Sequence, residues 1–320
     1  MQLPNFDTLP LTEEKESAVK YDKKIKSIVM DPNNRNMILL ITASSELVRL
    51  NLDTLVAKHV QKLPFETKRV IRTKCSSRGT ICVQTDKNSI VNFNLNSNSI
   101  ISTIRLEKFE ITAFELFFDD SEALFVGSSS GFLYYVPIKQ DNNALIDESA
   151  GKHVQQDRIT DILVASKDLV FTSSFDNQIK SIKTKETSFG IDLSFGSVEE
   201  ASLDLVMDIP MKLEMSECCM FLFAGAMDGT VYEISLDEFN SELAFDFGFG
   251  SIRFLKSLFD KQLVVVDEAG KIGVLDIESG SLLEEASEPS IVDFAYSNGF
   301  LYVLIPDGEI HTYSFTKYLE

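Results

Sequence analysis

The side chains most able to do chemistry in this sequence are five carboxylates in or beside short turns: Asp176, Asp228, Asp267, Glu268 and Asp307. Three of them come immediately before Asn or Gly, a combination that favours tight turns. Carboxylate oxygens are ligands for Ca²⁺, and a row of carboxylates also attracts a basic segment of another protein. Because Asp is favoured in such turns for steric reasons as well, the sequence leaves a binding role and a purely structural role open.

A second set of charged residues is basic and lies in the first third of the chain. Its members are Lys68, Arg69, Arg72, Lys74 and Lys87. Residues 1–110 hold 17 Lys and Arg against 12 Asp and Glu, whereas the remaining residues hold 13 against 37. The basic set could meet phosphate or an acidic protein surface. Contact with nucleic acid is disfavoured, because no aromatic residues interleave with the cations and the chain carries a net charge of −19.

Motifs of nucleophilic, nucleotide-dependent or zinc-dependent catalysis are absent from the sequence. The three histidines, at 59, 153 and 311, are widely separated, so we expect neither a metal site nor a cofactor. The four cysteines, Cys75, Cys82, Cys218 and Cys219, show no spacing typical of a disulfide framework. They are interpreted as core residues of a protein from a reducing compartment, the cytoplasm or nucleus.

A repeated unit must position the charged residues. An apolar run, a tight turn and an alternating run occur seven times, with spacings of 43, 43, 46, 52, 41 and 38 residues between turns. The turns close at Ser45, Asn88, Gly131, Asn177, Gly229, Gly270 and Gly308. Six of the seven are Gly or Asn, which tolerate the positive φ that two-residue hairpin turns require.

The runs on either side of each turn predict strands of two kinds. Segments such as 37–41 and 263–266 are continuously apolar, which is typical of a strand buried on both faces. Segments such as 90–95 and 231–236 alternate, which predicts a half-exposed third strand. Four strands in about 43 residues indicate an all-β fold, a seven-bladed β-propeller of four-stranded antiparallel blades.

The ends of the chain complete this prediction. The seventh unit is one strand short, while the segment 17–21 has strand character and stands ahead of the first unit. We therefore expect the N-terminal strand to complete the last blade and close the ring, which leaves no long exposed edge. The predicted organisation is a flexible acidic tail over 1–16 and a single propeller over 17–320.

The third strand of the sixth unit carries a family resemblance. Residues 270–280, Gly-Lys-Ile-Gly-Val-Leu-Asp-Ile-Glu-Ser-Gly, resemble the corresponding strand of WD-repeat proteins with Leu275 in place of Trp. Only this unit keeps the Asp of the family's Trp-Asp pair, at Asp276, and the Gly-His element is missing. The resemblance implies a propeller that binds partners through the face bearing these turns. It also implies that packing between blades replaces the family's buried His-to-Asp hydrogen bonds.

Two insertions depart from the repeat: a polar stretch over 139–158 and a second stretch over 195–202. Long loops on a rigid scaffold often carry function. The sequence thus predicts a non-catalytic interaction scaffold, a subunit of a multiprotein complex, with no membrane span and no small-molecule substrate. One alternative is an acidic escort for a basic client such as a ribosomal protein or histone. A less favoured one is a propeller hydrolase with a metal held by the turn carboxylates.

Overall fold

Alternating apolar runs and tight turns fold this chain into seven small antiparallel sheets arranged in a ring. The computed structural model describes residues 19–315 except 21–22, 32, 35, 53, 55–56, 68–69, 119–121, 140–141, 167, 188–189, 193–207, 238–240, 259–261, 289, 298 and 307. The predicted tail, 1–16, and the second insertion, 195–202, lie outside the described residues. The all-β, seven-bladed prediction is confirmed.

The first three blades and the insertion contain these strands. Blade 1 is β2 (Ile25–Met30), β3 (Met37–Thr42), β4 (Glu46–Asn51) and β5 (Ala57–Lys62). Blade 2 is β6 (Arg72–Cys75), β7 (Thr80–Asp86), β8 (Ser89–Asn94) and β9 (Ser99–Leu106). Blade 3 is β10 (Ile111–Phe118), β11 (Glu122–Ser128), β12 (Phe132–Pro137) and β14 (Lys152–His153), and β13 (Asn142–Ile146) precedes β14 in the chain.

The remaining blades follow in chain order. Blade 4 is β15 (Ile159–Ser166), β16 (Leu169–Ser174) and β17 (Ile179–Lys183), followed by a separate hairpin of β18 (Lys185–Thr187) and β19 (Gly190–Asp192). Blade 5 is β20 (Pro210–Met215), β21 (Phe221–Ala226), β22 (Val231–Ser235) and β23 (Ser241–Phe245). Blade 6 is β24 (Ile252–Leu258), β25 (Gln262–Asp267), β26 (Lys271–Asp276) and β27 (Ser281–Ser287). Blade 7 is β28 (Asp293–Ser297), β29 (Phe300–Leu304), β30 (Glu309–Ser314) and the N-terminal β1 (Val19–Lys20).

Hydrophobic contacts between adjacent blades hold the ring together. Each junction of neighbouring blades contains one apolar cluster of the described residues. The second strands explain this pattern, because their alternate side chains face opposite neighbours. In β3, Ile38 and Leu40 pack toward blade 7, whereas Leu39 and Ile41 pack toward blade 2. Burial on both faces is therefore the reason for the continuously apolar runs.

The third strands are more buried than their alternation predicts. The five residues of β22 are all buried, including Glu233, and the central residues of β8 are buried as well. Asn92 of β8 is fully buried and donates from Nδ2 to Ser102 Oγ at 2.8 Å. The prediction of half-exposed third strands is wrong for these two blades, because neighbouring blades cover both faces of each sheet.

The N-terminal strand closes the ring as predicted. Val19 lies opposite Ile310 and Lys20 opposite Glu309, in an antiparallel pairing of β1 with β30. The last blade therefore combines the two ends of the described chain, and its outer strand is supplied before the first blade begins. This closure protects the edge of β30 from pairing with another chain.

The outer strands are less regular than the repeat predicts. The insertion over 139–158 contributes β13, which pairs in parallel with β9 as a fifth strand of blade 2, and then returns to blade 3 as the short β14. The described part of blade 4 has three strands in its sheet. The helical content of the described residues is a 3-10 turn, Glu148–Ala150, and nothing in that part of the chain has the length and apolar character of a membrane-crossing helix.

Candidate interaction surfaces

One face of the ring carries the turns between second and third strands together with the loops that lead into each first strand; we call it the upper face. The residue that closes the turn accepts a backbone hydrogen bond from the last residue of the blade's fourth strand or from the residue after it. This bond recurs as Leu63 N to Ser45 O, Leu106 N to Asn88 O, Val154 N to Gly131 O and Glu288 N to Gly270 O, at 2.8–2.9 Å. In these four blades the turn is joined to the end of the fourth strand, which restrains the turn.

Asp176 and Asp228, two of the predicted carboxylates, lie on this face in turns of neighbouring blades. Asp176 is half-buried and accepts hydrogen bonds from the backbone N–H of Gln156 at 2.6 Å and of Gln178 at 3.1 Å. Asp228 is exposed and accepts from the N–H of Thr230 at 2.9 Å. Both carboxylates thus shape their own turns while part of their charge faces solvent.

Asp267 differs from the other carboxylates, because it is 2% exposed. Its Oδ1 accepts from Lys271 N at 2.8 Å and its Oδ2 from Gly250 N at 2.8 Å. The hydroxyl of Ser128 plays the first of these roles in blade 3, where it accepts from Phe132 N at 3.0 Å. Asp267 is therefore a structural residue of its turn, and the neighbouring Glu268 is the exposed carboxylate of this turn.

The predicted acidic set is therefore represented at the surface by the turns of blades 4, 5 and 6. Asp307 lies outside the described residues. Sequence reasoning missed two exposed carboxylates on the same face, Asp157 and Asp246, in the loops that lead into β15 and β24. Each bonds a nearby backbone N–H, Arg158 N at 2.6 Å and Gly248 N at 3.0 Å. The Asp-x-Gly spacing at 246–248 is a sequence signal that could have identified the second.

The predicted basic residues do not form one surface patch among the described residues. Lys87 is exposed in the β7–β8 turn of the upper face and pairs with Glu110 at 2.7 Å. Arg72 and Lys74 instead lie on β6, the innermost strand of blade 2. Lys68 and Arg69 lie outside the described residues. Propeller topology separates these cations, because strand and turn residues of one blade point to different parts of the ring.

First strands lie side by side around the centre of the ring, and their charged residues form ion pairs across blade junctions. Nζ of the lysine and a carboxylate oxygen of its partner are 2.6 Å apart for Lys74 and Glu115, 3.0 Å for Lys212 and Asp161, and 2.5 Å for Lys256 and Glu214. The two acids Asp161 and Glu214 also accept a backbone N–H of the next blade, from Leu213 at 3.1 Å and Ser257 at 3.3 Å.

The same arrangement closes the ring. Asp293 of blade 7 accepts from Ser27 Oγ at 2.5 Å and from Ile28 N at 3.0 Å, both in blade 1. An acid on one first strand therefore bonds a side chain and a backbone N–H of the next first strand at three junctions. These bonds join the blades at the centre, in addition to the apolar clusters between them.

Burial affects the acids of this central ring differently. Burial would raise the pKa of Asp161, but the nearby Lys212, Arg72 and Lys74 outweigh burial and lower it. For Glu214 and Asp293 burial is dominant, so their pKa values are raised in spite of Lys256 and of the hydrogen bonds to Asp293. The pKa of Lys212 is lowered, because burial, Arg72 and Lys74 together outweigh Asp161. Cations are thus in local excess around Asp161.

Metal-ligating side chains do not converge among the described residues. No group of three or more His, Cys, Asp or Glu in that part of the chain could hold a metal ion. His311 instead bonds Glu288, a buried acid that also accepts from the hydroxyl of Tyr313. His153 contacts the ring of Phe132 edge-on, with the ring centres 5.0 Å apart.

The cysteines divide into two pairs. Cys82 is fully buried and burial raises the pKa of the half-buried Cys75 to about 12, as expected for core thiols. Cys218 and Cys219 are exposed in the turn between β20 and β21, so the prediction that they are core residues is wrong. Cys219 has φ of 57°, and this turn conformation places it at the surface.

Comparison with known proteins does not assign this chain to a family. No model of a protein family matches the chain, and no curated protein matches it. The seven-bladed architecture is established by the structure, whereas membership of the WD-repeat family remains a prediction from the resemblance of residues 270–280.

Proposed function

We propose that this protein is a non-catalytic scaffold that binds other proteins within a multiprotein complex. Propellers commonly serve as interaction scaffolds, although the fold alone does not define a partner. The observation that carries the proposal is the row of surface carboxylates Asp176, Asp228 and Glu268, in equivalent turns of three consecutive blades on one face. The partner we propose presents a basic segment to this row.

Rigid presentation is the proposed mechanism. The turns are held by backbone hydrogen bonds, and Asp176 and Asp228 bond their own turn N–H groups. Little conformational freedom is then lost when a partner binds, which favours affinity. The excess of acidic residues after residue 110 attracts a basic partner over a distance and speeds the encounter.

The charge distribution also favours a second candidate, an acidic escort for a basic client such as a ribosomal protein or histone. Residues 111–320 hold 37 Asp and Glu against 13 Lys and Arg. An escort that binds through charge alone releases its client as salt rises, whereas a scaffold whose interface adds apolar contacts to the carboxylate row retains its partner to higher salt. Both candidates suit the cytoplasm or nucleus, because the four cysteines are free thiols.

Affinity purification from native cells with stepwise salt elution tests the proposal. The variant D176N/D228N/E268Q removes three upper-face charges and keeps a hydrogen-bond acceptor at each position. Its control, D168N/E217Q/D237N, removes three exposed charges from turns on the opposite face. We expect a basic partner to leave the first variant at lower salt and to elute from the control as from the unmodified protein. Equal losses from both variants, or no loss from either, would overturn the upper-face contact.

A further inference from the structure

The insertion over 139–158 builds a groove at the upper end of the junction between blades 2 and 3. After β12 the chain crosses to blade 2, runs parallel to β9 as β13, and returns to blade 3 through Asp147 and the 3-10 turn. The groove between this return segment and the β9–β10 loop has a volume of about 580 Å³. Gly151 allows the return segment to lie close to Tyr134, because a Cβ at this position would be 2.4 Å from the tyrosine ring.

An aromatic side chain lines this groove. Phe132 is half-buried and stacks on Phe109, with the ring centres 5.7 Å apart and the planes 13° apart. The ring of His153 contacts Phe132 from the side. The ring of Tyr134 is also roughly parallel to that of Phe132, with the centres 6.3 Å apart and the planes 26° apart. Three neighbouring rings therefore hold Phe132, and the part of it that lines the groove is an apolar surface against which a cation can pack.

Three carboxylates and one cation line the groove together with Phe132: Glu107, Asp147 and Glu148 against Lys108. The side-chain hydrogen bond from Ser149, with two backbone N–H groups, lowers the pKa of Asp147 and keeps it ionised. Lys108 Nζ is 3.4 Å from Glu148 Oε2, and the two side chains are 61% and 43% exposed. An ion pair this exposed is weak, so an incoming cation can replace Lys108.

We propose that this groove binds an arginine side chain from a basic segment of a partner protein. The guanidinium packs against the part of Phe132 that lines the groove and bonds Glu148 in place of Lys108, while Glu107 and Asp147 add negative charge. Arginine fits better than lysine, because its planar guanidinium both stacks on rings and forms paired hydrogen bonds with carboxylates. The site lies on blades 2 and 3 and is separate from the carboxylate row of blades 4 to 6.

Fluorescence anisotropy with a labelled Ser-Gly-Ala-Arg-Ala-Gly-Ser peptide tests the site directly. Its control is the same peptide with citrulline, which keeps the shape and loses the charge. We expect E148Q to weaken arginine-peptide binding and K108A to strengthen it, each by about three- to fivefold. F132L keeps an apolar side chain but removes the ring, and we expect a similar loss from it.

The variants separate this site from general attraction to an acidic protein. F132L does not change the charge of the protein. A loss of arginine-peptide binding by F132L, with an unchanged melting temperature, therefore supports contact between the guanidinium and the ring of Phe132. The variants E217Q and D168N/E217Q/D237N alter charge on the opposite face and should leave peptide affinity within about twofold. Three outcomes would overturn the proposal. The citrulline peptide could bind as tightly as the arginine peptide, F132L could bind the arginine peptide as tightly as the unmodified protein does, or E217Q could lose as much affinity as E148Q. None of these outcomes decides the salt-elution experiment, so the two proposals fail independently.

Discussion

The inner and outer strands of the ring join their blades in different ways. At the centre, first strands lie side by side, and acids such as Asp161 and Asp293 bond the next blade through a side chain and a backbone N–H. At the rim, the outer strands range from the two residues of β14 to the additional parallel β13. The centre is constrained by neighbours on both sides, whereas the rim tolerates insertions. New binding features such as the groove at blades 2 and 3 can therefore arise at the rim.

The largest expected effect concerns a turn where two blades meet closely. Gly229 has φ of 91°, and a Cβ there would lie 1.9 Å from the carbonyl oxygen of Phe249. We expect G229A to lower the free energy of unfolding by at least about 3 kcal/mol, because the backbone at Phe249 or at the turn itself must shift to make room for the methyl group. Gly248 has φ of 67° with nothing near its Cβ direction, so G248A should cost only about 1 kcal/mol. Chemical denaturation of both variants measures the difference, and equal losses would show that φ alone matters.

The next effect compares an ion pair at the centre of the ring with an exposed ion pair on the upper face. D161A removes the acceptor of Lys212 Nζ and Leu213 N and leaves three cations together, so we expect a loss of about 2–3 kcal/mol. K87A breaks the exposed pair with Glu110 and should cost less than about 1 kcal/mol. Urea midpoints of the two variants test the contrast. A larger loss from K87A would contradict the view that the centre holds the blades.

Two half-buried acids of the centre, Asp293 and Asp161, should respond to pH in opposite directions. Asp293 has a raised pKa, so its protonated form is favoured on folding, and stability falls as pH rises from the ordinary Asp value through the raised one. Asp161 has a lowered pKa, so its ionised form is favoured on folding. Its contribution to stability is fully present above the ordinary pKa of Asp and is lost as pH falls toward the lowered pKa.

Thermal unfolding between pH 3 and pH 7 measures these two slopes with D293N and D161N. We expect D293N to gain stability relative to the unmodified protein as pH rises, and D161N to gain relative stability as pH falls. Each amide keeps one acceptor oxygen and loses the other, but that loss does not depend on pH, so the slope of stability with pH isolates the titrating charge. Slopes of the same sign for both variants would contradict the assignment.

The smallest effect is expected at the rim. Leu145 on β13 is 63% exposed, so L145A should change the free energy of unfolding by less than about 0.5 kcal/mol. A loss above about 1 kcal/mol, measured by the same denaturation assay, would mean that this side chain is covered in solution.

The fold was predictable from the sequence because its signals are local. Continuous apolar runs such as 37–41 and turn residues such as Gly229 recur at nearly constant spacing, and the short seventh unit predicted closure by the N-terminal strand. The candidate sites were less predictable. Asp267 was predicted to belong with the other turn carboxylates, yet it is buried, because the β25–β26 turn lies against the loop containing Gly250.

The sequence by itself determined the number of blades, the turn positions and the positive φ of most turn residues, because strand burial and turn geometry depend on residues close together in the chain. Only the tertiary structure decided which charged residues meet. Arg72 and Lys74 belong to one basic stretch of the sequence but interact with Asp161 and Lys212 at the centre of the ring. Residues 142–146 pair with a strand about 40 positions earlier. Such contacts join distant segments, and their partners are defined only when the ring closes.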